Sequence, residues 1–212
     1  MKISFARAAL AAGLLVGAAA AHADTVTLTD YTYAPATAVT VGAPSYSGGA
    51  GQFSGFLNGA SFTTYCTELT QDLFFGETYT DYSVVDGVTA WGAAKATMLG
   101  QLLTAVAQQS YVSNADKSAV IQAAIWEIIY ESSGSYGFGS GTFTATSTAP
   151  LGDINWAGFA GAPSLYKVDQ LHSEGHQDLL VITAVPEPST YALMLAGLAG
   201  IGFVARRRTQ QR

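Results

Sequence analysis

The chain has 212 residues and a formal net charge of −6, long enough for one domain with its own core. Residues 24–184 carry fourteen carboxylates against three lysines, Lys95, Lys117 and Lys167. That leaves −11 and excludes a nucleic-acid role, because neutralising phosphates takes clustered Lys and Arg.

Residues 1–23 read as a secretory signal: Lys2 and Arg7 start it, an apolar run fills 8–20, and Ala21-His22-Ala23 makes a small-residue cleavage site. The mature chain then begins near Asp24 and works outside the cytoplasm. Residues 25–33 and 36–41, rich in Thr, Val and Tyr and separated at Pro35, read as short strands. A Gly and Ser turn region follows over 45–51. Asn58-Gly59 then separates two alternating segments, 52–57 and 60–66, and an Asn-Gly pair in that setting predicts a tight hairpin. With a two-residue turn Leu57 faces Ala60 and Gly55 faces Phe62, so Phe53, Leu57, Phe62, Thr64 and Cys66 share one face. Cys66 closes the returning strand and points inward with the aromatics. Residues 67–75 are a connection or strand, and 79–85 a strand ending at an Asp86-Gly87 turn.

Two helices come next. Ala94, Met98, Leu99, Leu102, Leu103 and Val106 recur on one side of the first. Ser113-Asn114-Ala115-Asp116 fits a capping box in acidic form, with Ser113 as the cap and Asp116 at the positive end of the second. In that second helix Val120, Ile121, Ala124, Ile125, Ile128 and Ile129 make a broad apolar face, with Gln122 at its border one turn before Trp126. The loop between them is short, so the pair over 90–131 is expected to pack as an antiparallel hairpin. Glu127 and Glu131, one turn apart, read as a solvated helix face.

Residues 132–141 form a Gly, Ser and aromatic loop, 142–147 a strand, 149–163 a loop with Trp156 and Phe159, and 166–171 and 178–184 the last strands. His172 and His176 stand four apart, but Gly175 lies between them, no third ligand is near and the segment reads as a turn, so no metal site is assigned. No nucleophile elbow or paired-carboxylate pattern stands out, and no cofactor is expected. The expected fold is α+β, an antiparallel β-sandwich or barrel-like body with the helical hairpin packed against it.

Cys66 is the sole cysteine, so an internal disulfide is excluded, leaving a buried small hydrophobe, an intermolecular link or a reactive group. Tyr65-Cys66 closing a strand, with Ile121-Gln122-Ala123-Ala124-Ile125-Trp126 on a later helix, resembles the thioester domains of bacterial surface adhesins over about residues 62–131. The resemblance implies that Cys66 is the thioester sulfur and Gln122 the acyl donor, joined with loss of ammonia. Tyr65, Phe62, Phe74 and Trp126 would shield the bond from water. Such a bond reacts once with an amine or hydroxyl on a surface or polysaccharide, which is covalent capture without turnover and not enzymic catalysis. The other readings are a structural matrix component with an inert cysteine, and a carbohydrate-binding module using Tyr136, Phe138 and Trp156.

Residues 185–212 separate from the domain at two prolines. Val185-Pro186-Glu187-Pro188 precedes an apolar run over 191–205 that stops at Arg206, Arg207 and Arg208. The run has 15 residues, short for a spanning helix, which takes about 17 to 25. This three-part tail resembles the PEP-CTERM sorting signal of Gram-negative bacteria. That resemblance implies transient anchoring in the inner membrane through 191–205, processing by an exosortase, and delivery to the cell surface or extracellular matrix.

Overall fold

The computed structural model describes residues 23–132, 134–159, 161–185, 193–199 and 201. The signal segment other than Ala23, the Pro-Glu-Pro motif, the arginine cluster and much of the 191–205 run lie outside these residues. The order of elements is β1 (Asp24–Tyr31), β2 (Thr37–Val41), β3 (Tyr46–Ala50), β4 (Phe53–Leu57), β5 (Ala60–Thr64), β6 (Thr78–Asp86), α1 (Gly87–Trp91), α2 (Ala93–Gln108), α3 (Ala115–Tyr130), β7 (Ala145–Ser147), α4 (Trp156–Phe159), β8 (Tyr166–His172) and β9 (Leu179–Ala184). The fold is α+β, and every strand pairing is antiparallel. β1 starts at Asp24, the residue after the expected cleavage site.

The strands form a six-stranded sheet in the order β5-β4-β1-β6-β8-β9 and a three-stranded sheet in the order β3-β2-β7. The larger sheet curls until its two edges meet. Just beyond β5, Cys66 bridges to Leu179 at the start of β9. Thr67 N donates to Asp178 O at 2.9 Å and Leu180 N to Tyr65 O at 2.9 Å. The Thr64 hydroxyl adds a 2.7 Å bond to Leu180 O. Curling removes one stretch of open edge, which would otherwise leave backbone donors and acceptors unpaired.

The β4–β5 hairpin has the expected register, Leu57 opposite Ala60 and Gly55 opposite Phe62. Asn58 and Gly59 take φ of 51° and 79°, the left-handed pair that a two-residue turn matching strand twist requires. β5 ends at Thr64, so Cys66 lies past the strand in the seam. The Gly and Ser stretch expected as a turn is instead β3, whose residues 46–50 pair in unbroken register with β2. Tertiary pairing overrides the weak strand preference of Ser47, Gly48 and Gly49.

At the expected Asp86-Gly87 turn the chain enters α1, which Asp86 caps: its Oδ1 accepts from Val88 N at 3.0 Å. Gly92, at φ 84°, then separates α1 from α2. α2 buries Leu99, Leu102 and Leu103 and lies along β8, touching α1 and α3. The cap of α3 falls one residue later than expected. Asn114 Oδ1, not Ser113, accepts from Lys117 N at 2.9 Å, because Asn114 holds the extended backbone of an N-cap.

α3 is the centre of the molecule. All residues from 118 to 128 are buried, so it has no border between apolar and solvated faces. Ala119, Val120, Ala123 and Trp126 join the core with β1, β2, β4 and Tyr82. Ile121, Ala124, Ile125 and Ile128 join a second core with α2, Tyr65, Val168 and Leu180. A helix surrounded on all sides is apolar all round. Two expectations are corrected here. Gln122 is 1% exposed, not at a wet border, and Glu127 and Glu131, expected in solvent, are 0% and 2% exposed.

The two acids survive burial because the loop after α3 supplies donors. Gly137 N donates to Glu127 Oε1 at 2.7 Å, and Thr142 N and Phe143 N donate to Glu131 Oε2 at 2.9 and 3.2 Å. Burial pushes the Glu127 carboxyl up to about 6, the Gly137 N–H opposes this, and the Glu131 charge adds to it. In the tail, residues 193–199 are helical and Leu193, Met194, Leu195 and Leu198 are exposed, so this segment adds nothing to the core. Among the described residues no helix is long and apolar enough to cross a membrane.

Candidate functional site at the barrel seam

Cys66 belongs to a bridge in which its neighbours, not the residue itself, bond to β9. Its own N–H and C=O therefore point away from that strand and need other partners. Gln122 supplies both. Cys66 N donates to Gln122 Oε1 at 2.9 Å, and Gln122 Nε2 donates to Cys66 O at 2.8 Å. One carboxamide thus does what a further strand would do. Its position follows from α3, since the side chain leaves the helix between the two cores just where Tyr65 enters one and Cys66 the other.

The thiol is 3% exposed and makes a different contact: Cys66 Sγ donates to Gln177 Oε1 at 2.9 Å. Gln177 lies in the β8–β9 turn and is tied on three further atoms. Its Nε2 donates to Glu68 O at 3.1 Å, its main-chain N to Asp72 O at 3.4 Å, and its carbonyl accepts from Tyr82 Oη at 2.7 Å. Two glutamines therefore hold Cys66, one on its backbone and one on its sulfur.

The electrostatic setting keeps the thiol protonated. Burial raises its pKa well above the ordinary value, and the nearby Glu68 charge adds to that. Tyr31, Tyr46, Tyr82 and Tyr130 lie within electrostatic range of the sulfur. Burial is the main cause that pushes Tyr46 and Tyr130 up to about 12 and the other two higher, so all four stay neutral.

The shielding residues expected from the sequence divide. Tyr65 and Trp126 are each 1% exposed and stand on opposite sides of α3, Trp126 with its ring 5.2 Å from that of Tyr46. Phe62 is half-buried against the same core as Cys66. Phe74 is 62% exposed and forms no part of a wall, because the connection after the seam carries it out on the surface. Tyr46, Tyr82 and Gln177 are the site neighbours that sequence reasoning missed. Nothing marks them in the chain, since each arrives from an element distant in sequence.

The remaining candidates lie elsewhere. His172 Nδ1 pairs with Asp178 at 3.0 Å and His176 Nδ1 with Asp81 at 3.3 Å, so each imidazole has its own carboxylate. Tyr136 stacks on Trp156 with ring centroids 5.6 Å apart, and Phe138 and Phe159 pack on the same indole at 5.5 and 5.8 Å. These aromatics are largely spent on one another.

Chemically, the seam holds the Gln122 carboxamide against the backbone of Cys66, whose sulfur is a protonated thiol bonded to Gln177. Gln122 Oε1 already accepts an N–H from Cys66, so charge developing on that oxygen during attack at Cδ would meet a fixed donor. Comparison with curated proteins and with solved structures finds no match. Residues 184–208, which begin at the last residue of β9, match the PEP-CTERM protein-sorting motif. This motif marks an exported protein that an exosortase processes and sorts to the surface or matrix.

Proposed function

We propose that this exported protein attaches covalently to a surface or matrix target through an internal thioester between Cys66 and Gln122. The observation that carries the reading is the docking of the Gln122 carboxamide on the Cys66 main chain, which fixes the acyl donor beside the residue whose sulfur would attack it. In the closing step Sγ attacks Cδ of Gln122, the Cδ–Nε2 bond breaks, and the thiol proton leaves with that nitrogen as ammonia. The Cys66 N–H stabilises the oxyanion at Oε1. In the capture step a target amine or hydroxyl attacks Cδ, the Cδ–Sγ bond breaks, and the target's proton passes to sulfur. Gln122 is then joined to the target and Cys66 is a thiol again.

Intact mass tests this. The exported protein is compared with its Cys66→Ala and Gln122→Ala variants, with and without methylamine. The expected result is a wild-type mass short by one ammonia, a full mass in both variants, and a methylamine adduct on the wild type alone. A full wild-type mass with a thiol that alkylates in urea sinks the proposal and leaves the non-covalent readings.

A further inference from the structure

The contact between the thiol and Gln177 has no place in the closing step as written, and it exists in only one of the two chemical states. A thioester sulfur bears no hydrogen, so the bond from Cys66 Sγ to Gln177 Oε1 is available only to the open thiol. The other ties of Gln177, to Glu68 O, Asp72 O and Tyr82 Oη, involve no atom that changes in the reaction. The first holds the side chain and the other two its main chain in both states, so their contribution cancels between them.

An interaction made in one state alone shifts the equilibrium toward that state by its own free energy. We infer that Gln177 is a positioning residue that captures the sulfur released from Gln122, favouring the open thiol and opposing re-attack on the newly formed bond. This rests on the thioester reading. It adds to that reading a direction: the carboxamide that closes the bond and the carboxamide that keeps it open flank the same cysteine. An S–H donor is weak, so the effect corresponds to the lower end of a net hydrogen bond, roughly threefold in the ratio of the two states.

The test uses the reversal of the closing step with ammonia as co-reactant. Ammonia attacks Cδ, the Cδ–Sγ bond breaks, one ammonia proton goes to sulfur, and the carboxamide and thiol are restored. The exported chain is brought to equilibrium over a series of ammonia concentrations, and the closed-to-open ratio is read from intact mass. Gln177→Met, which lacks the acceptor, is expected to raise that ratio about threefold. Gln177→Glu, which keeps an oxygen and charges it, is expected to leave the ratio at or below that of the wild type, since an ionised acceptor binds a donor more strongly. A purely structural role would loosen the turn and move both variants the same way.

A ratio raised in Gln177→Met and not raised in Gln177→Glu supports the inference. An unchanged or lowered ratio in Gln177→Met, or a rise in both variants, overturns it while a closed wild type leaves the thioester standing. A wild type that is open at every ammonia concentration refutes the thioester itself and this inference with it.

Discussion

The pairing of Gln122 with the Cys66 backbone can be tested without any covalent chemistry. In a Cys66→Ala background no thioester can form, yet the main-chain N–H and C=O of residue 66 remain and still face the carboxamide. Adding Gln122→Met keeps the length and much of the volume of the side chain but removes both polar atoms. The N–H and C=O of residue 66, bonded at 2.9 and 2.8 Å in the native chain, are then left buried and unpartnered. Each orphaned group costs about 1–3 kcal/mol, so the pair should lower stability by about 2–6 kcal/mol. Domains of this size are stable by only about 5–15 kcal/mol, so such a loss is a large fraction of the whole. Urea unfolding of the two proteins gives the difference directly. With a slope of about 2 kcal/mol per molar, the midpoint should fall by about 1–3 M. A double variant within about 0.5 kcal/mol of its parent would refute the reasoning, because it would mean that the carboxamide does not carry the backbone of residue 66.

Other consequences are as specific. Glu127 has a carboxyl raised by burial to about 6, so the stability linked to its protonated form is present below about pH 4.5 and lost as pH rises through about 6. The loss is about 2 kcal/mol, and Glu127→Gln should remove that slope from a plot of unfolding free energy against pH. Asn114→Ala removes the cap on Lys117 N and should cost about 1 kcal/mol in urea unfolding, whereas Ser113→Ala should cost little. Finally, in protein opened with methylamine the buried, protonated thiol should label slowly with iodoacetamide at pH 8 and fast once urea is added. Labelling of the folded form at the rate of a free cysteine would contradict the burial of Cys66.

Several features of this protein are legible in the amino-acid order because the forces behind them are local. Asn58-Gly59 turns the hairpin since those two residues accept left-handed backbone at little cost. Periodic apolar residues mark α2 and α3, and alternating ones mark the strands. Charge and proline content set the tail apart from the domain. Cys66 and Gln122 were also recognisable as a pair, but from short motifs alone, with no physical statement of how they meet.

How they meet depends on groups far apart in the chain. The strand β3 exists because β2 offers its edge to a Gly and Ser segment that would otherwise turn. Glu127 and Glu131 read as solvated because periodicity assigns a helix one wet face, and it cannot foresee a loop that covers that face and supplies backbone donors. Gln122 reads as a border residue for the same reason, until the second core closes over it. The order of residues alone determined the Asn58-Gly59 hairpin, the two long helices, the sorting motif and the acidic character of the domain. Tertiary structure alone decided that the curled sheet meets itself at Cys66, turning that residue's backbone toward Gln122 and its sulfur toward Gln177, because only long-range strand pairing leaves those particular groups in need of partners.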